Sequence, residues 1–381
     1  MPAQAVVLEN MRRRLFDLHL RWGYQPVHPP FVEYLESLLS SAGQDFDRHT
    51  FKIADPHSGR MMGLRADMTP QVARIDAHTL GGSGVSRLFY MGTVIRAYGD
   101  GTDGNRSPLQ MGAEIFGHSG IESDVEVIRL MLTALDCVGV SDVHLDLGHA
   151  EIFKCLVEKL QLTDNDQKAL FDLLQRKAES DIEQLSASLG IDATDSNILC
   201  ALCSLNGDAS VLQRAGKLLA VYGDSMAAAI EALRALGDAL APALPSVTVH
   251  YDLAEVRGYQ YHNGVVFAAY VPQSGSEIAR GGRYDGIGET FGTSRAATGY
   301  STDLKTLMSL TESAQATVSG SAIVAPFNGS NDKATAALMQ EIAALRESGE
   351  VVVTALDNDT LAMCNRKLIE KGGLWLLENL E

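Results

Sequence analysis

A long helical block interrupts sequence that otherwise predicts strands, and this interruption constrains the fold more than any other feature. Leucine and alanine recur with helical spacing from about residue 160 to residue 242. Strand-like sequence resumes at Val247–Val249, and the pair Asn263-Gly264 favours a hairpin turn. The sequence therefore predicts an α+β fold, in which a mostly antiparallel sheet is interrupted by a helical insertion and completed after it.

The longest predicted strand pair precedes the insertion. Residues 87–97 alternate in polarity, and residues 109–117 follow as a second short strand. A glycine-rich turn from Gly99 to Gly104 separates the two segments. This order predicts an antiparallel hairpin with a long polar loop.

Two amphipathic helices are predicted to flank this hairpin. The first ends at Gly23 and has an apolar face formed by Met11, Leu15, Leu18 and Trp22. The second begins with Ser123 and Glu126, which form a capping-box pattern ahead of an apolar run. We expect this second helix to return across the sheet.

The chain divides by composition into two parts. Residues 1–310 are predicted to form the main α+β core with its helical insertion at about residues 160–242. A spacer rich in Ser, Thr and Ala precedes residues 320–381, which are predicted to form a small β-α-β-α-β unit.

Charge and cysteine content limit the classes of function. The chain has 381 residues and a net charge of −17, which disfavours a large nucleic-acid surface. It contains no apolar run of about 18 residues, so neither export nor membrane insertion is expected. Its five cysteines include one close pair, Cys200 and Cys203, which lacks further metal ligands nearby. Buried thiols in a reducing cytoplasm are the favoured interpretation.

Residues that could bind an amino acid occur on the second hairpin strand. Strand periodicity places Gln110, Gly112 and Glu114 on one face, and the small residue between two polar ones leaves room for a ligand. Glu114 could accept a hydrogen bond from an imidazole, and Gln110 offers a donor and an acceptor. The alternative is that Glu114 pairs with a core arginine for structural reasons.

Two further segments supply complementary charges. Asp67 and Thr69, two residues apart, suit an ammonium group that is removed from water. The alternative is that they form a common helix-cap pattern. Arg96 can hold a carboxylate bidentately through its guanidinium group.

Two later segments, Val256–His262 and Arg280–Gly286, resemble the histidine-recognition signatures of histidyl-tRNA synthetase, a class II synthetase. In that family a later arginine holds ATP, and a glutamate of the second class II motif contacts adenine. Here those positions are Thr306 and Tyr98, and Asp303 replaces a family glycine. The resemblance therefore implies an amino-acid pocket without adenylate formation.

A synthetase-like chain with these losses resembles the regulatory subunits of ATP phosphoribosyltransferase, the first enzyme of histidine biosynthesis. The resemblance implies a non-catalytic protein with no catalytic residue, metal or cofactor. It assigns histidine binding to Asp67, Thr69, Arg96, Gln110, Glu114, Arg257, Tyr261 and His262.

The resemblance also implies partners. The chain would dimerise through its core and assemble with the short-form catalytic subunit into a hetero-octamer. It would activate that subunit and transmit feedback inhibition by L-histidine, with no tRNA and no membrane as partner. Two alternatives stay open: a divergent histidyl-tRNA synthetase, and a free-standing histidine-binding synthetase paralogue.

Overall fold

The computed structural model describes residues 1–39, 44–80, 82, 84–99, 105–243, 247–255, 261–286, 295–311, 322–327, 333–356 and 364–380. The chain forms two compact units. The larger contains Val7–Ala314, and the smaller contains Met1–Val6 with Gln315–Glu381.

The larger unit is built on a nine-stranded sheet. Its strands, and those of a small second sheet, are β1 (Gln25–Pro26), β2 (Val32–Tyr34), β3 (Phe51–Ala54), β4 (Met61–Leu64), β5 (Ser86–Thr93), β6 (Leu109–Phe116), β7 (His144–His149), β8 (Asn206–Gly207), β9 (Thr248–Asp252), β10 (Val265–Tyr270), β11 (Ala279–Arg283) and β12 (Ala297–Asp303).

The order in the main sheet is β1-β5-β6-β12-β11-β10-β7-β9-β8, and β2-β4-β3 form the second sheet. Neighbouring strands in the main sheet are antiparallel except for the pairs β1–β5 and β7–β9. The predicted α+β fold with a mostly antiparallel sheet is therefore confirmed, as is the hairpin formed by β5 and β6.

Helices precede, follow and interrupt these strands. They are α1 (Pro2–Arg21), α2 (Leu35–Leu39), α3 (Gln44–His49), α4 (Thr69–Arg74), α5 (Ile121–Cys137), α6 (Ala150–Leu160), α7 (Asp164–Gln175), α8 (Glu179–Leu189), α9 (Ala193–Leu202), α10 (Ser210–Leu218), α11 (Asp224–Leu240) and α12 (Leu304–Leu310). A π-helical segment, Ile75–Leu80, continues α4. Helices α7 to α11 lie in the stretch where the sequence predicts the insertion, and β8, between α9 and α10, pairs with β9.

Helix α1 has the apolar face that its sequence predicts, because Met11, Leu15 and Leu18 are buried. The chain leaves the helix at Gly23, whose φ of +83° is a conformation that glycine adopts at little cost. On the same helix His19 is buried, with Nδ1 2.7 Å from the Leu15 carbonyl oxygen and Nε2 3.0 Å from the Tyr300 hydroxyl. Burial lowers the pKa of His19 to about 4, so a neutral ring links α1 to β12.

Helix α5 packs its buried apolar residues into the main core, as expected for a helix that returns across the sheet. The predicted capping box is wrong, because the helix begins after Gly120. The Ser123 hydroxyl donates to the Gly120 carbonyl at 2.8 Å, and Glu126 accepts from Arg87 at 2.7 Å. Glu126 thus forms an ion pair with Arg87 of β5 instead of the hydrogen bond that a capping box requires.

The smaller unit contains β13 (Ala322–Ala325), α13 (Lys333–Glu347), β14 (Val352–Thr354), β15 (Cys364–Lys371) and β16 (Leu374–Asn379). Its sheet has the order β14-β13-β15-β16, in which β16 alone is antiparallel to its neighbour. The first half matches the predicted β-α-β-α-β pattern.

The second half differs from that pattern. Residues 357–363, between β14 and β15, lie outside the described residues, and Cys364–Lys371 is a strand where the pattern places a helix. The physical reason is the turn Gly372-Gly373, whose φ values of +61° and +83° suit a two-residue hairpin. The hairpin pairs β15 with β16 over six residues of each strand.

Among the described residues, no helix combines the length and the apolar character that crossing a bilayer requires.

The left-handed backbone of Gly372 and Gly373 predicts that side chains added at these two positions lower the stability of the smaller unit. Alanine disfavours a left-handed backbone by about 1–2 kcal/mol per residue, so G372A/G373A should lower the unfolding free energy of the smaller unit by about 2–4 kcal/mol. Trp22→Phe leaves Trp375 as the only tryptophan, whose fluorescence in a denaturant titration reports this unit.

The matched control is Gly372→Asn, since asparagine tolerates the left-handed region and Asn-Gly favours this turn. We expect it to be close to neutral. A double alanine variant as stable as this control would contradict the assignment of the turn.

Candidate functional site

The candidate site lies on β6, in the main sheet between β5 and β12. The strand register places Gly112 opposite Tyr90 of β5 and Glu114 opposite Gly299 of β12. Gln110 and Glu114 both bond to residues at the start of α4, so the prediction that they share a face is confirmed.

Glu114 is the centre of this face and is only 1% exposed. Its Oε1 accepts from the Tyr90 hydroxyl at 2.9 Å and from Thr69 Oγ1 at 3.2 Å, while Oε2 accepts from the Tyr284 hydroxyl at 2.5 Å. These three donors are hydroxyl groups from three separate segments. The alternative, that Glu114 pairs with a core arginine, is wrong, because its partners among the described residues are hydroxyl groups.

The glycines of the site leave space that other atoms of the protein occupy, not space for a ligand. A Cβ at Gly299 would collide with Glu114 Oε2, and one at Gly112 would collide with the Tyr90 hydroxyl. The expectation that Gly112 leaves space for a ligand is therefore wrong, because Tyr90 fills that space. A Cβ at Gly281 would likewise collide with the carbonyl oxygen of Gly299.

Asp67 is held beside this cluster through one of its two oxygens. Oδ1 accepts from Gln110 Nε2 at 2.7 Å and from the Thr69 backbone N–H at 2.9 Å. Gln110 Oε1 in turn accepts from the Met68 N–H at 3.0 Å. Oδ2 of Asp67 has no hydrogen-bond partner within the part of the chain that the structure describes. The carboxylate is thus oriented, with one acceptor left for a ligand.

The electrostatics of the site follow from burial. Burial raises the pKa of Glu114 to about 8, although the hydroxyls of Tyr284 and Tyr90 oppose the shift. Burial likewise raises the pKa of both tyrosines well above its ordinary value, so they remain protonated donors. Near neutral pH the Glu114 carboxyl therefore holds a proton.

Tyr261 joins the cluster through ring contact. Its ring stacks on that of Tyr284 with centroids 4.9 Å apart and planes 26° apart. The buried Tyr261 hydroxyl makes no hydrogen bond of good geometry with the described residues. A buried hydroxyl is costly unless a partner outside the described residues or a bound ligand satisfies it.

His262 lies next to Tyr261, with ring centroids 5.1 Å apart. Its Nδ1 is 3.2 Å from the Arg283 carbonyl oxygen, and burial lowers its pKa to about 4. The neutral ring therefore donates from Nδ1 to β11. This contact positions the segment that carries Tyr261.

The structure describes one of the two arginines that were predicted to bind a carboxylate. Arg257 lies outside the described residues. Arg96 is half-buried and follows β5, where its backbone N–H donates to the Arg106 carbonyl at 2.9 Å. The contacts described for Glu114 and Asp67 do not include Arg96. The structure therefore brings together Asp67, Thr69, Gln110, Glu114 and Tyr261.

The Arg280–Gly286 segment divides between two roles. Arg283 binds Asp124 Oδ2 through Nε at 3.1 Å and Nη2 at 2.9 Å, and it donates to the carbonyl oxygens of His118 and Gly120. It therefore anchors the start of α5, and Tyr284 is the side chain that reaches Glu114.

Asp303 and Thr306, at the positions where the resemblance places nucleotide contacts, bind each other. Asp303 Oδ2 accepts from Thr306 Oγ1 at 3.3 Å and from Asn105 Nδ2 at 2.9 Å. Oδ1 caps α12 by accepting from the Lys305 N–H at 3.0 Å, and it also accepts from the Leu109 N–H at 2.9 Å. A helix cap with a carboxylate therefore ties α12 to β6.

Sequence reasoning did not assign Tyr90 and Tyr284 to the site, although both donate to Glu114. Tyr90 was detectable in principle, because a large polar residue on one strand faces Gly112 on the next. Tyr284 lies in the Arg280–Gly286 segment that resembles a histidine-recognition signature, but its contact with Glu114 depends on the pairing of β11 with β12.

Within the described residues, no group of His, Cys, Asp and Glu side chains has the arrangement of a metal site. Cys200 and Cys203 are free thiols at the end of α9, and burial raises the pKa of Cys203 to about 11. Cys203 therefore stays a protonated thiol at neutral pH.

The buried Glu114 predicts a dependence of stability on pH. Its folded pKa of about 8 exceeds the ordinary value of 4.5, so the folded protein binds this proton more tightly than the unfolded chain. The resulting stabilisation is complete below about pH 4.5 and is lost as the pH rises through about 8. Glu114→Gln keeps the shape and removes the titration, so wild type should lose thermal stability relative to this variant over that window.

Thermal midpoints at several pH values measure the difference, with Glu158→Gln on the exposed side of α6 as control. The control should follow wild type throughout. A constant difference between wild type and Glu114→Gln across the window would contradict the raised pKa.

Comparison with protein families gives two matches in order along the chain. A family described as "Histidyl-tRNA synthetase" matches residues 1–307. A family described as "ATP phosphoribosyltransferase subunit HisZ C-terminal domain" matches residues 320–378. Together the two matches cover both structural units.

Individual relatives and solved structures point to the same families. The chain is 49% identical over 374 residues to the ATP phosphoribosyltransferase regulatory subunit of Thioalkalivibrio sulfidiphilus, which covers 97% of this chain and 93% of that protein. It resembles the crystal structure of an ATP phosphoribosyltransferase regulatory subunit/histidyl-tRNA synthetase from Bacillus halodurans with a TM-score of 0.81 and 26% identity, over 94% and 92% of the two chains. An ATP phosphoribosyl transferase (HisG:HisZ) complex from Thermotoga maritima matches with a TM-score of 0.57 and 20% identity, over 77% and 96%.

Proposed function

Because the chain belongs to the family of ATP phosphoribosyltransferase regulatory subunits, we propose that it binds free L-histidine at the Glu114 cluster and passes that binding on to a catalytic subunit. The protein is a non-catalytic regulatory subunit with a class II synthetase-like core. The observation that carries the histidine proposal is the oriented Asp67 carboxylate with one oxygen left without a described partner.

The ammonium group of histidine would bind at Asp67. Its carboxylate is fixed by Gln110 and by the backbone of Thr69, so little side-chain freedom is lost on binding. The half-buried position strengthens an ion pair relative to an exposed one. Thr69 Oγ1, which also contacts Glu114, adds a hydroxyl on the same side.

The imidazole of histidine would lie between Glu114 and Tyr261. A carboxyl with a pKa near 8 can accept or donate a proton close to neutral pH, and a neutral imidazole offers both an N–H and a free ring nitrogen. The Tyr261 hydroxyl, without a partner of good geometry, would gain one. His262 would support this wall through its contact with the Tyr261 ring.

The carboxylate of histidine would go to Arg96 and Arg257. This assignment rests on the resemblance to the synthetase signatures and on the bidentate geometry of a guanidinium group. It completes a site in which each of the three polar parts of histidine meets a complementary group.

The proposed partner is the catalytic subunit of ATP phosphoribosyltransferase. Its support is the family name together with the Thermotoga maritima neighbour, which is a complex of two subunit types. We further propose dimerisation through the synthetase-like core, a hetero-octamer with the short-form catalytic subunit, and a cytoplasmic location. Feedback inhibition then requires that histidine favour one state of the complex, with a coupling of about 1–3 kcal/mol.

The proposal predicts how a single carboxylate controls inhibition. The chain is mixed with the short-form catalytic subunit, and phosphoribosyl-ATP formation is followed over a range of histidine concentrations. We expect activation by the chain and reversal by histidine. Asp67→Asn should raise the half-inhibiting histidine concentration by about tenfold or more, because an amide cannot pair with the ammonium charge.

Asp136→Asn, at the exposed end of α5, makes the same chemical change away from the site and should leave the half-inhibiting concentration unchanged. Sedimentation of each mixture checks that assembly is intact. Equal inhibition of the Asp67→Asn and Asp136→Asn complexes would refute the pocket, and absence of activation would refute the wider proposal.

A further inference from the structure

A cationic and aromatic patch lies outside the Glu114 cluster, where three chain segments meet. We call it the Arg48 patch; its members are Arg48, Phe51, Tyr98 and Arg106. The guanidinium carbon of Arg48 is 5.7 Å from the centre of the Tyr98 ring, and that of Arg106 is 5.1 Å from the centre of the Phe51 ring.

Backbone hydrogen bonds hold these segments together. The Ala97 N–H donates to the His49 carbonyl at 2.8 Å, and the Arg96 N–H donates to the Arg106 carbonyl at 2.9 Å. The His49 ring also meets Tyr98 edge-on, with centroids 6.2 Å apart. The patch is therefore preorganised by regular contacts of the main chain.

The patch is exposed and carries charge that no described carboxylate neutralises. Tyr98 is 58% exposed, and Arg48 and Arg106 are exposed as well. Neither arginine has a carboxylate partner within the described ranges of the chain. By contrast, the neighbouring Lys52 pairs with Asp47 at 2.7 Å.

The patch carries positive charge on a chain with a net charge of −17. Two arginines, neither paired with a carboxylate among the described residues and each placed over an aromatic ring, match the enrichment of Arg and aromatic residues at protein interfaces. The contact with a ring restrains each guanidinium, so less entropy is lost when a carboxylate binds.

We infer that the Arg48 patch docks an acidic surface segment of the catalytic subunit. This inference rests on the proposed function, since it names the surface by which the regulatory subunit meets its partner. Opposite charge on the partner would speed association and fix its orientation. One chain segment links the patch to the Glu114 cluster. Strand β5 carries Tyr90 of the cluster, and Tyr98 of the patch follows five residues after the end of this strand.

A nucleic acid is the less suitable occupant. A protein that makes about 6–10 phosphate contacts needs many cationic side chains, whereas this patch offers two arginines.

Charge reversal at the patch tests the inference with full-length protein. The variants are R48E, R106E and the double variant, and the control is R234E, an equal charge reversal at an exposed position of α11. Association with immobilised short-form catalytic subunit is measured at about 50 and 200 mM salt. We expect the double variant to lose about tenfold or more in association constant and to show a weaker salt dependence, while R234E stays within about threefold of wild type.

Arg48→Gln with Arg106→Gln, which removes charge without reversing it, keeps the test valid if the reversed variants fold poorly, and a loss of association constant clearly larger than that of R234E is expected. Double-variant binding equal to that of R234E overturns the inference but leaves the proposed function standing. Failure of wild type to bind the catalytic subunit overturns both. Loss of binding to a single-stranded oligonucleotide, with unchanged binding to the catalytic subunit, would assign the patch to nucleic acid and overturn the inference.

Discussion

The buried Glu114 carboxyl organises the region on which the rest of the site depends. Three hydroxyls, from Thr69, Tyr90 and Tyr284, converge on its two oxygens. A polar group at 1% exposure persists only when such donors satisfy it, so the donors fix where α4, β5 and β11 meet β6. The same demand explains Gly299, since any larger residue would occupy the space of the carboxyl.

Next to this cluster, Asp303 and Thr306 make structural contacts at the positions where the resemblance places nucleotide contacts. Asp303 caps α12, bonds to Thr306 and ties the helix to Leu109 at the start of β6. A carboxylate held there disfavours the phosphates that an activating enzyme must stabilise. Under the proposed function, an amino-acid site without nucleotide contacts leaves the bound histidine unreacted, so that it can act as a signal.

Much of the fold was predictable because periodicity reports burial directly. The antiparallel sheet, the apolar face of α1 and the shared face of Gln110 and Glu114 all follow from spacing. Long-range partners do not follow from spacing. Glu126 pairs with Arg87 instead of capping its own helix, and Tyr90 fills the space over Gly112. The sequence pattern did not predict the strand Cys364–Lys371, because that strand depends on its hairpin with β16 across the Gly372-Gly373 turn.

The central claim is that this chain binds histidine without activating it. Isothermal titration of the purified chain with histidine, and then with ATP on the histidine-saturated protein, tests it most directly. The account predicts saturable heat from histidine and none from ATP, because Asp303 and Thr306 offer no cation to the triphosphate. Saturable binding of ATP, or no binding of histidine, would contradict it.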